Sequence, residues 1–348
     1  MKDYFVRVQK MTPTRFWINN VTHAQADLAL EAGAVGCTQN PSYTWKILNG
    51  SEDSEMAKQK AIEIMRTEPD DNEVLVKLQR ELIGGIAKHF MPLYEASHGK
   101  LGYVSIQGDP FQEDTESIIR FARYNRQISP NIMAKIPATP SGLAAIRVLA
   151  AEGVPINATE CMAIRQVLDA CEIYVEATKD LENPAPMCFS LISGIFDEYL
   201  QKQVAREGID ISPDVLRQAG MAVAKKVHEV VNDRRYPCTF VGGGARALYH
   251  FTDMVGANAS ITINWGGSAD VLLEQNGFVE DRFGQPTPAM IIDELVEKLE
   301  VFRKAYFVNA IAPEEYEEFG PVVLFRNSFE SAWKNALNLI GELRKQGV

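Results

Sequence analysis

Cysteine and histidine are scarce in this chain, and neither is spaced as a metal site or a disulfide framework requires. Among 348 residues there are five of each. The cysteines are odd in number and scattered, with no Cys-x-x-Cys pair, and the histidines show no His-x-x-x-His spacing. Zinc sites and disulfide-rich secreted domains depend on such spacings. We therefore expect reduced thiols that fill the core, and no metal site.

Positive charge is also in short supply. The chain has 35 Lys and Arg residues against 46 Asp and Glu residues, a formal net charge of -11. Surfaces that bind nucleic acid or anionic membranes need a basic patch, so we expect neither partner. No apolar run is long enough to cross a bilayer, and no signal-peptide pattern opens the chain. These absences favour a cytoplasmic protein.

The chain does contain eight short apolar runs, which alternate with stretches of helical periodicity such as "SGLAAIRVLAAEG". Eight strands alternating with helices in a chain of this length favour an α/β fold, a (β/α)8 TIM barrel, over an open doubly wound sheet. The predicted strands lie at residues 15–20, 36–40, 103–109, 132–138, 155–159, 188–194, 239–244 and 260–265.

Three segments interrupt this alternation. Residues 54–98 are long enough for two helices, and "YVEATKDLENPAPM" predicts a loop before the sixth strand. Residues 279–348 have helical periodicity but no convincing strand. We interpret residues 1–348 as a single barrel domain, with residues 279–348 as a helical C-terminal extension packed on the barrel.

Polar side chains recur where the predicted strands end. In a barrel of this kind the active site lies at the carboxyl ends of the strands, and side chains two apart on a strand point the same way. By that rule one mouth should collect Asn19, Thr38, Asn40, Ser105, Gln107, Lys135, Asn157, Thr159, Ser190 and Arg246.

Lys135 stands out because it lies inside the apolar run "NIMAKIPATP". A lysine surrounded by apolar groups has a lowered pKa, and its free amine can attack a carbonyl to form a Schiff base. The iminium that results is an electron sink for breaking or making an adjacent C–C bond. The alternative is a lysine that extends to the strand end and pairs with a carboxylate.

Four segments carry a resemblance to the transaldolase family, which includes fructose-6-phosphate aldolase-like enzymes. "GAVGCTQNPS" is similar to the family's TTNPS strand end, and "VSIQGDP" to its SxEVD strand. "MAKIPATPSGLAAIRVLAAEGVPINATE" resembles the block around the family's Schiff-base lysine, and "FVGGGARAL" resembles its phosphate loop. The resemblance covers residues 16–274.

The resemblance implies a role for each matching residue. Lys135 matches the Schiff-base lysine, and Asn40 and Asn157 match amides that hold substrate hydroxyls. Thr159 matches a hydroxyl that positions a catalytic water, and Arg246 matches an arginine that binds the substrate phosphate. Thr38, Ser190 and Gly244 fall in the matching strand ends and the phosphate loop, and we expect them to bind substrate as well.

Three positions depart from the family pattern. Asn19 replaces an aspartate that acts as acid and base, Gln107 replaces a glutamate, and Ile195 replaces a second phosphate-binding arginine. Because an amide does not exchange protons near neutral pH, another group must do so. Glu160, directly after Thr159, is the candidate we favour. Its alternative is a solvated carboxylate in the first turn of a helix.

We interpret the chain as a transaldolase-like class I enzyme that transfers or cleaves a ketol unit of a sugar or sugar phosphate. Two alternatives stay open: an aldolase or transferase for a less phosphorylated ketose, and a sugar-binding barrel without turnover. No metal or organic cofactor is implied, because the lysine supplies the electron sink. The resemblance also implies a homo-oligomer.

Overall fold

Residues 2–346 are described by the computed structural model, and within them eight parallel strands close into a barrel. Each strand pairs with the next in chain order, and the eighth pairs with the first. The strands are β1 (Arg15–Asn19), β2 (Gly36–Thr38), β3 (Tyr103–Ile106), β4 (Ile132–Pro137), β5 (Ile156–Cys161), β6 (Met187–Leu191), β7 (Cys238–Gly242) and β8 (Ala259–Asn264).

Helices surround this barrel. They are α1 (Tyr4–Met11), α2 (His23–Glu31), α3 (Tyr43–Leu48), α4 (Ser54–Met65), α5 (Asp71–Ala96), α6 (Thr115–Arg126), α7 (Pro140–Ala151), α8 (Ile164–Thr178), α9 (Ser193–Glu207), α10 (Pro213–Leu216), α11 (Ala219–Asp233), α12 (Tyr249–Thr252), α13 (Asp270–Gln275), α14 (Ala289–Lys298), α15 (Glu300–Tyr306) and α16 (Gly320–Lys345). A π turn (Trp265–Ala269) and a 3-10 turn (Pro313–Glu315) complete the regular structure.

The turn from β4 into α7 shows how the sequence fixes local structure. Thr139 caps α7 by accepting a hydrogen bond from the backbone of Gly142, and Pro140 occupies the first helical turn, where its missing N–H costs nothing. A Cβ atom on Gly142 would lie 1.8 Å from the carbonyl oxygen of Pro137. Only glycine therefore lets the helix start this close to the strand that carries Lys135.

The barrel interior is apolar near the amino ends of the strands and polar toward their carboxyl ends. Near the amino ends of the strands it is filled by a small apolar cluster of Trp17, Tyr103, Met133, Cys188 and Val241. Polar residues two positions further along several of these strands form the next layer, as the period of a strand requires. The polar residues thus lie toward the carboxyl ends, where the active sites of such barrels are found.

The last helix lies across the mouth of the barrel. α16 packs against α3 and α5 on one side and against α9 on the other. Trp333 of α16 donates a hydrogen bond of 2.8 Å to Asn72 of α5, and Arg344 donates one of 2.7 Å to Asp71. These contacts fix α16 over the carboxyl ends of the strands.

The predicted barrel is confirmed, and several element bounds need correction. Residues 54–98 form the two expected helices, α4 and α5. The predicted loop "YVEATKDLENPAPM" is wrong in its first part, because those residues complete α8. The sixth strand ends at Leu191 rather than residue 194, since Ser193 already begins α9. That the chain is one domain stays a prediction. No helix among the described residues is long and apolar enough to span a bilayer.

Candidate active site

Lys135 lies in the middle of β4 and is 7% exposed. Its Nζ is 5.9 Å from the ring centroid of Phe329, a fully buried residue of α16. Burial lowers the pKa of Lys135 to about 8, although the nearby Glu160 carboxylate and the Cys188 thiol act in the opposite direction. With that pKa, about a tenth of the side chain is the free amine at pH 7.

Asn157 is the cross-strand neighbour of Lys135 on β5 and is fully buried. Its Oδ1 accepts a hydrogen bond of 2.8 Å from the Ser190 hydroxyl, and its Nδ2 lies 3.5 Å from the Ser105 hydroxyl. The three side chains hold one another in place beside the lysine. That Asn157 binds a substrate hydroxyl stays a prediction.

A second polar network covers the wall formed by β1, β2 and β8. Asn19 donates a hydrogen bond of 2.9 Å to Asn264 and accepts one of 2.9 Å from Thr38. The Thr38 and Thr262 hydroxyls lie 2.7 Å apart. The position expected to hold an acid therefore carries an amide that is already engaged on both sides.

A cleft of about 60 Å³ opens between these networks and α16. That space is enough for several ordered water molecules, because a water needs on the order of 10–15 Å³ of such volume. The cleft is lined by Asn19, Thr38, Asn40, Lys135, Ser190, Ile192, Gly243, Gly244, Ala245, Arg246, Thr262, Ile263, Asn264 and Phe325.

Asn40 lies on the β2 side of this cleft. Its Oδ1 accepts hydrogen bonds of 3.0 Å from the Asn20 amide and from the backbone of Ser42. The turn after β2 therefore holds the amide in place, and it presents the remaining edge of Asn40 to the cleft.

A β-bulge places Glu160 in the site. The register between β5 and β6 shifts between Ala158 and Cys161, so Thr159 and Glu160 together face one residue of β6. Glu160 has φ of 60°, a conformation that costs a residue other than glycine on the order of 1 kcal/mol. The bulge aims its fully buried carboxyl toward Gln107, to which it is hydrogen-bonded at 2.9 Å.

Gln107 connects two carboxyl groups. Its Nε2 donates to Glu160 at 2.9 Å and to Glu113, in the loop between β3 and α6, at 3.2 Å. Burial raises the pKa of Glu160, against the Gln107 hydrogen bond and the charges of Lys135 and Arg326. Burial is the main cause that holds the pKa of Glu113 well above its usual range, and the charge of Glu160 adds to this effect. We call Glu113 and Glu160 the carboxyl pair.

Three buried polar atoms near Lys135 have no hydrogen-bond partner within residues 2–346. They are Oε1 of Gln107, Oγ1 of Thr159 and Oε2 of Glu160. An unsatisfied buried polar group is costly, and such groups in native proteins have a functional explanation or a bound water. All three lie at the ends of β3 and β5, on either side of β4. They offer hydrogen-bonding positions for a water or a substrate hydroxyl.

Residues 242–246, which we call the glycine loop, close the opposite side of the cleft. Gly244 has φ of 68°, and a Cβ atom there would lie 2.4 Å from Ile192. The buried His250 ring lies 3.4 Å and 3.2 Å from the backbone nitrogens of Arg246 and Ala247, and 3.1 Å from Asp197. The loop is thus held from behind by a buried histidine and carboxylate.

Arg246 is paired with a carboxylate of the protein itself. Its Nε donates a hydrogen bond of 2.6 Å to Glu198 of α9, and Lys202 bonds the other oxygen at 2.6 Å. Partial burial raises the pKa of Glu198, but these two hydrogen bonds lower it further, so that the pKa lies below its usual value. Ile195, where the family has a second arginine, is 1% exposed and packs near Gly244. At the glycine loop the cleft therefore has one arginine, and its charge is partly offset by Glu198, which Lys202 shares.

The sequence-predicted residues that line the cleft are Asn19, Thr38, Asn40, Lys135, Ser190, Gly244 and Arg246. The predicted residues that are buried and lie outside its lining are Gln107, Asn157, Thr159 and Glu160. Glu160 lies within β5, not in the first turn of a helix. Asp109 accepts hydrogen bonds from Asn72, Gln112 and the backbone of Phe111, and so holds its loop in place.

The sequence reasoning missed Glu113, Thr262 and Asn264, as well as the α16 residues Phe325, Arg326 and Phe329. Thr262 and Asn264 had a detectable signal, since Ser260, Thr262 and Asn264 alternate along one strand. Glu113 and the α16 residues had none. Among the described residues, no group of three His, Cys, Asp or Glu side chains could hold a metal ion.

The sequence of this chain is similar to those of known proteins. A model of the family described as Transaldolase/Fructose-6-phosphate aldolase matches residues 16–274. A transaldolase of Mycobacterium leprae (strain Br4923) is 34% identical over 160 residues, 43% of this chain and 41% of the relative. Transaldolase 1 of Streptomyces avermitilis is 29% identical over 218 residues, 60% of this chain and 57% of the relative. The chain thus aligns with about half the length of these relatives.

Proposed function

Because the chain belongs to the transaldolase/fructose-6-phosphate aldolase family, we propose that it is a class I enzyme that uses Lys135 to transfer or cleave a ketol unit of a sugar. The observation that carries this proposal is the buried lysine with a lowered pKa, which faces a cleft lined by hydroxyl and amide groups. An amine that is partly unprotonated at neutral pH can add to a ketone.

The carboxyl of Glu160 would supply the proton transfers that Asn19 cannot. The amine of Lys135 first adds to the ketone to give a carbinolamine. Protonated Glu160 then gives its proton to the departing hydroxyl, which leaves as water, and the iminium remains. When the neighbouring C–C bond breaks, the electron pair of that bond neutralises the iminium as an enamine. The hydroxyl proton of the leaving aldehyde returns to the Glu160 carboxylate.

The same proton serves the second half of a transfer. The enamine attacks a new aldehyde, whose oxygen takes the proton from Glu160. Water then adds to the iminium and gives a proton back to the Glu160 carboxylate, and the product leaves. Thr159 Oγ1 and Gln107 Oε1, which are buried without partners, are suited to hold that water.

Within this chemistry, the ion pair between Arg246 and Glu198 favours a donor that carries no phosphate dianion at its far end. A phosphate bound at the glycine loop would meet the negative charge of Glu198 beside its single arginine. With Ile195 buried in place of a second cation, the loop cannot offer the two arginines that hold a phosphate in the family. A sugar hydroxyl at this position would face no such repulsion.

Borohydride trapping followed by peptide mass mapping tests the proposal. The protein is incubated with dihydroxyacetone, fructose or fructose 6-phosphate, and borohydride reduces any iminium to a stable secondary amine. We expect the adduct on Lys135, formed at lower concentrations of the unphosphorylated ketoses than of fructose 6-phosphate. An adduct that turns over when an aldose is added would identify a transferase, and release of an aldehyde without an acceptor would identify a lyase.

The proposal is wrong if no ketose in the panel gives an adduct on Lys135. Saturable binding of the same sugars without an adduct would then identify a sugar-binding barrel that lacks turnover. Preference for fructose 6-phosphate, with Lys135 still modified, would retain the Schiff-base chemistry and reject the less phosphorylated donor.

A further inference from the structure

Two carboxyl groups and one amide form a cluster that the mechanism above uses only in part, with Glu160 and Gln107 buried and Glu113 half-buried. Glu113 comes from the loop after β3 and Glu160 from the bulge in β5, so they approach the Gln107 amide from different elements. Both accept a hydrogen bond from the same Nε2, at 3.2 Å and 2.9 Å. Since each oxygen lies so near one nitrogen, the two are within about 6 Å of each other, where like charges affect one another strongly.

The hydrogen bonds available to the cluster suit one negative charge better than two. A side-chain amide nitrogen has two donors, and Nε2 of Gln107 spends both on the pair. Oε2 of Glu160 is buried and has no donor within the described part of the chain. A fully ionised pair would therefore place two negative charges against one amide and leave one carboxylate oxygen without a donor, whereas one proton on the pair removes one of the two charges.

Charged groups around the pair come from three other elements. Lys135 of β4 and Arg326 of α16 favour the ionised form of Glu160, and Arg326 does the same for Glu113. Glu317, just before α16, opposes ionisation of Glu113. Two cations beside two carboxyls favour the loss of one proton from the pair, while burial and mutual repulsion favour keeping the other.

We propose that Glu113 and Glu160 share a single proton across the Gln107 amide, and that Glu113 is the positioning residue that keeps this proton available to Glu160 at neutral pH. The catalytic consequence rests on the proposed function, because Glu160 must enter its reaction cycle protonated. The direction of both pKa shifts agrees with such a pair. The proposal also explains Gln107, since a glutamate there would add a third carboxylate and remove the bridging donors.

The proton can be observed without any substrate. Glutamate is labelled with ¹³C at the side-chain carboxyl, and the carboxyl signals of the intact chain are followed by NMR as the pH is raised. The variants Glu113→Gln and Glu160→Gln assign the two signals. In the wild type we expect the pair to lose its last proton at a pH well above the usual range of glutamate, near 4.3.

The variant Glu113→Gln tests whether the raised pKa of Glu160 depends on Glu113 or only on the burial of Glu160 itself. Without the neighbouring charge, we expect the midpoint of the Glu160 titration to fall by at least about one pH unit. Glu113→Asp keeps the charge and should lower the midpoint less. The control is Glu116→Gln on α6, which removes an exposed carboxylate near Glu113 in the chain and should leave the midpoint unchanged.

Two results would overturn the inference: both carboxyls ionised below about pH 5 in the wild type, or a Glu160 midpoint that Glu113→Gln does not move. The wild-type titration stands even if a variant fails to fold. Trapping on Lys135 is scored separately. An adduct with independently titrating carboxyls would reject only this inference, and a shared proton without an adduct would reject only the proposed function.

Discussion

The two sides of the barrel mouth differ in how their polar groups are satisfied. On the side formed by β3, β4 and β5, Oε1 of Gln107, Oγ1 of Thr159 and Oε2 of Glu160 are buried without partners among the described residues. On the side of the glycine loop, the charged groups are paired within the protein, and the Ser193 hydroxyl is the buried polar atom there without a partner among the described residues. Arg246 is bonded to Glu198, and His250 holds the loop from behind.

Under the proposed function, the side formed by β3, β4 and β5 carries out the reaction, and the side of the glycine loop selects the substrate. Unsatisfied groups beside Lys135 are suited to bind a reactant or a water. Paired groups at the glycine loop have less to offer a charged ligand, and Ile195, one of the departures from the family, lies there. Under the proposed function, the lysine that would form a Schiff base is retained, while the contacts to the end group of the substrate differ from the family pattern.

Lys135→Met should have the largest effect, because it removes the nucleophile from the side formed by β3, β4 and β5. We expect no borohydride adduct at residue 135 and a loss of turnover of at least about 10⁴-fold, the order seen when a covalent nucleophile is removed. Lys225→Met is the matched control, since partial burial also lowers the pKa of Lys225, which lies on α11 away from the mouth. Retained turnover in Lys135→Met would contradict the role of the lysine.

Glu160→Gln tests whether the unsatisfied carboxyl moves protons. Loss of a general acid and base costs about 10² to 10⁴-fold, and we expect turnover to fall by that factor while the KM of the donor changes much less. Glu152→Gln, in an exposed ion pair with Arg123 at the end of α7, is the control. Turnover within a few-fold of wild type would assign the proton transfers to another group.

Glu198→Gln tests the side of the glycine loop, where Arg246 is paired with Glu198. The substitution removes the negative charge that neutralises Arg246, so we expect the KM for a phosphorylated ketose to fall by about tenfold, the worth of one charge-assisted contact. The KM for an unphosphorylated ketose should change by less than about twofold, because surface charge contributes little to a neutral ligand. Equal changes for both ketoses would show that Glu198 does not select the end group.

Phe329→Leu should have the smallest effect. The ring lies over Nζ of Lys135 at 5.9 Å and is 1% exposed, so a smaller side chain admits water toward the amine. Better hydration stabilises the charged form, and we expect the pKa of Lys135 to rise by less than about one unit. The pKa is read from the ¹³Cε signal of Lys135. A fall in the pKa would mean that the ring holds the cation rather than excluding water.

Much of the fold and the wall of the site could be predicted from the sequence, because both follow from strand periodicity. Alternation along each strand places Lys135, Asn157 and Ser190 in one layer, and eight such strands favour closure into a barrel. Glu160 was found only as the neighbour of Thr159. A regular strand would have turned its side chain away, and the bulge that turns it inward has no sequence signature here.

Contacts between segments that are distant in the chain could not be predicted from the sequence. Glu113 lies in a polar loop whose residues resemble any helix start, and Phe325, Arg326 and Phe329 occupy an ordinary amphipathic helix. Their place at the mouth depends on the path of α16 across the barrel. The pairing of Arg246 with Glu198 depends in the same way on how α9 packs beside the glycine loop. Such arrangements are set by tertiary packing rather than by local pattern.

The most direct test of the central claim is the pKa of Lys135 in the wild-type protein. Lysine labelled with ¹³C at the ε position is titrated by NMR, and the Lys135 signal is assigned by its absence in Lys135→Met. We predict a midpoint near pH 8, so that the free amine increases about tenfold between pH 7 and pH 9 and then levels off. A midpoint at or above about 10, the value of a solvated lysine, would show that the amine is not held in a desolvated site and would contradict the account.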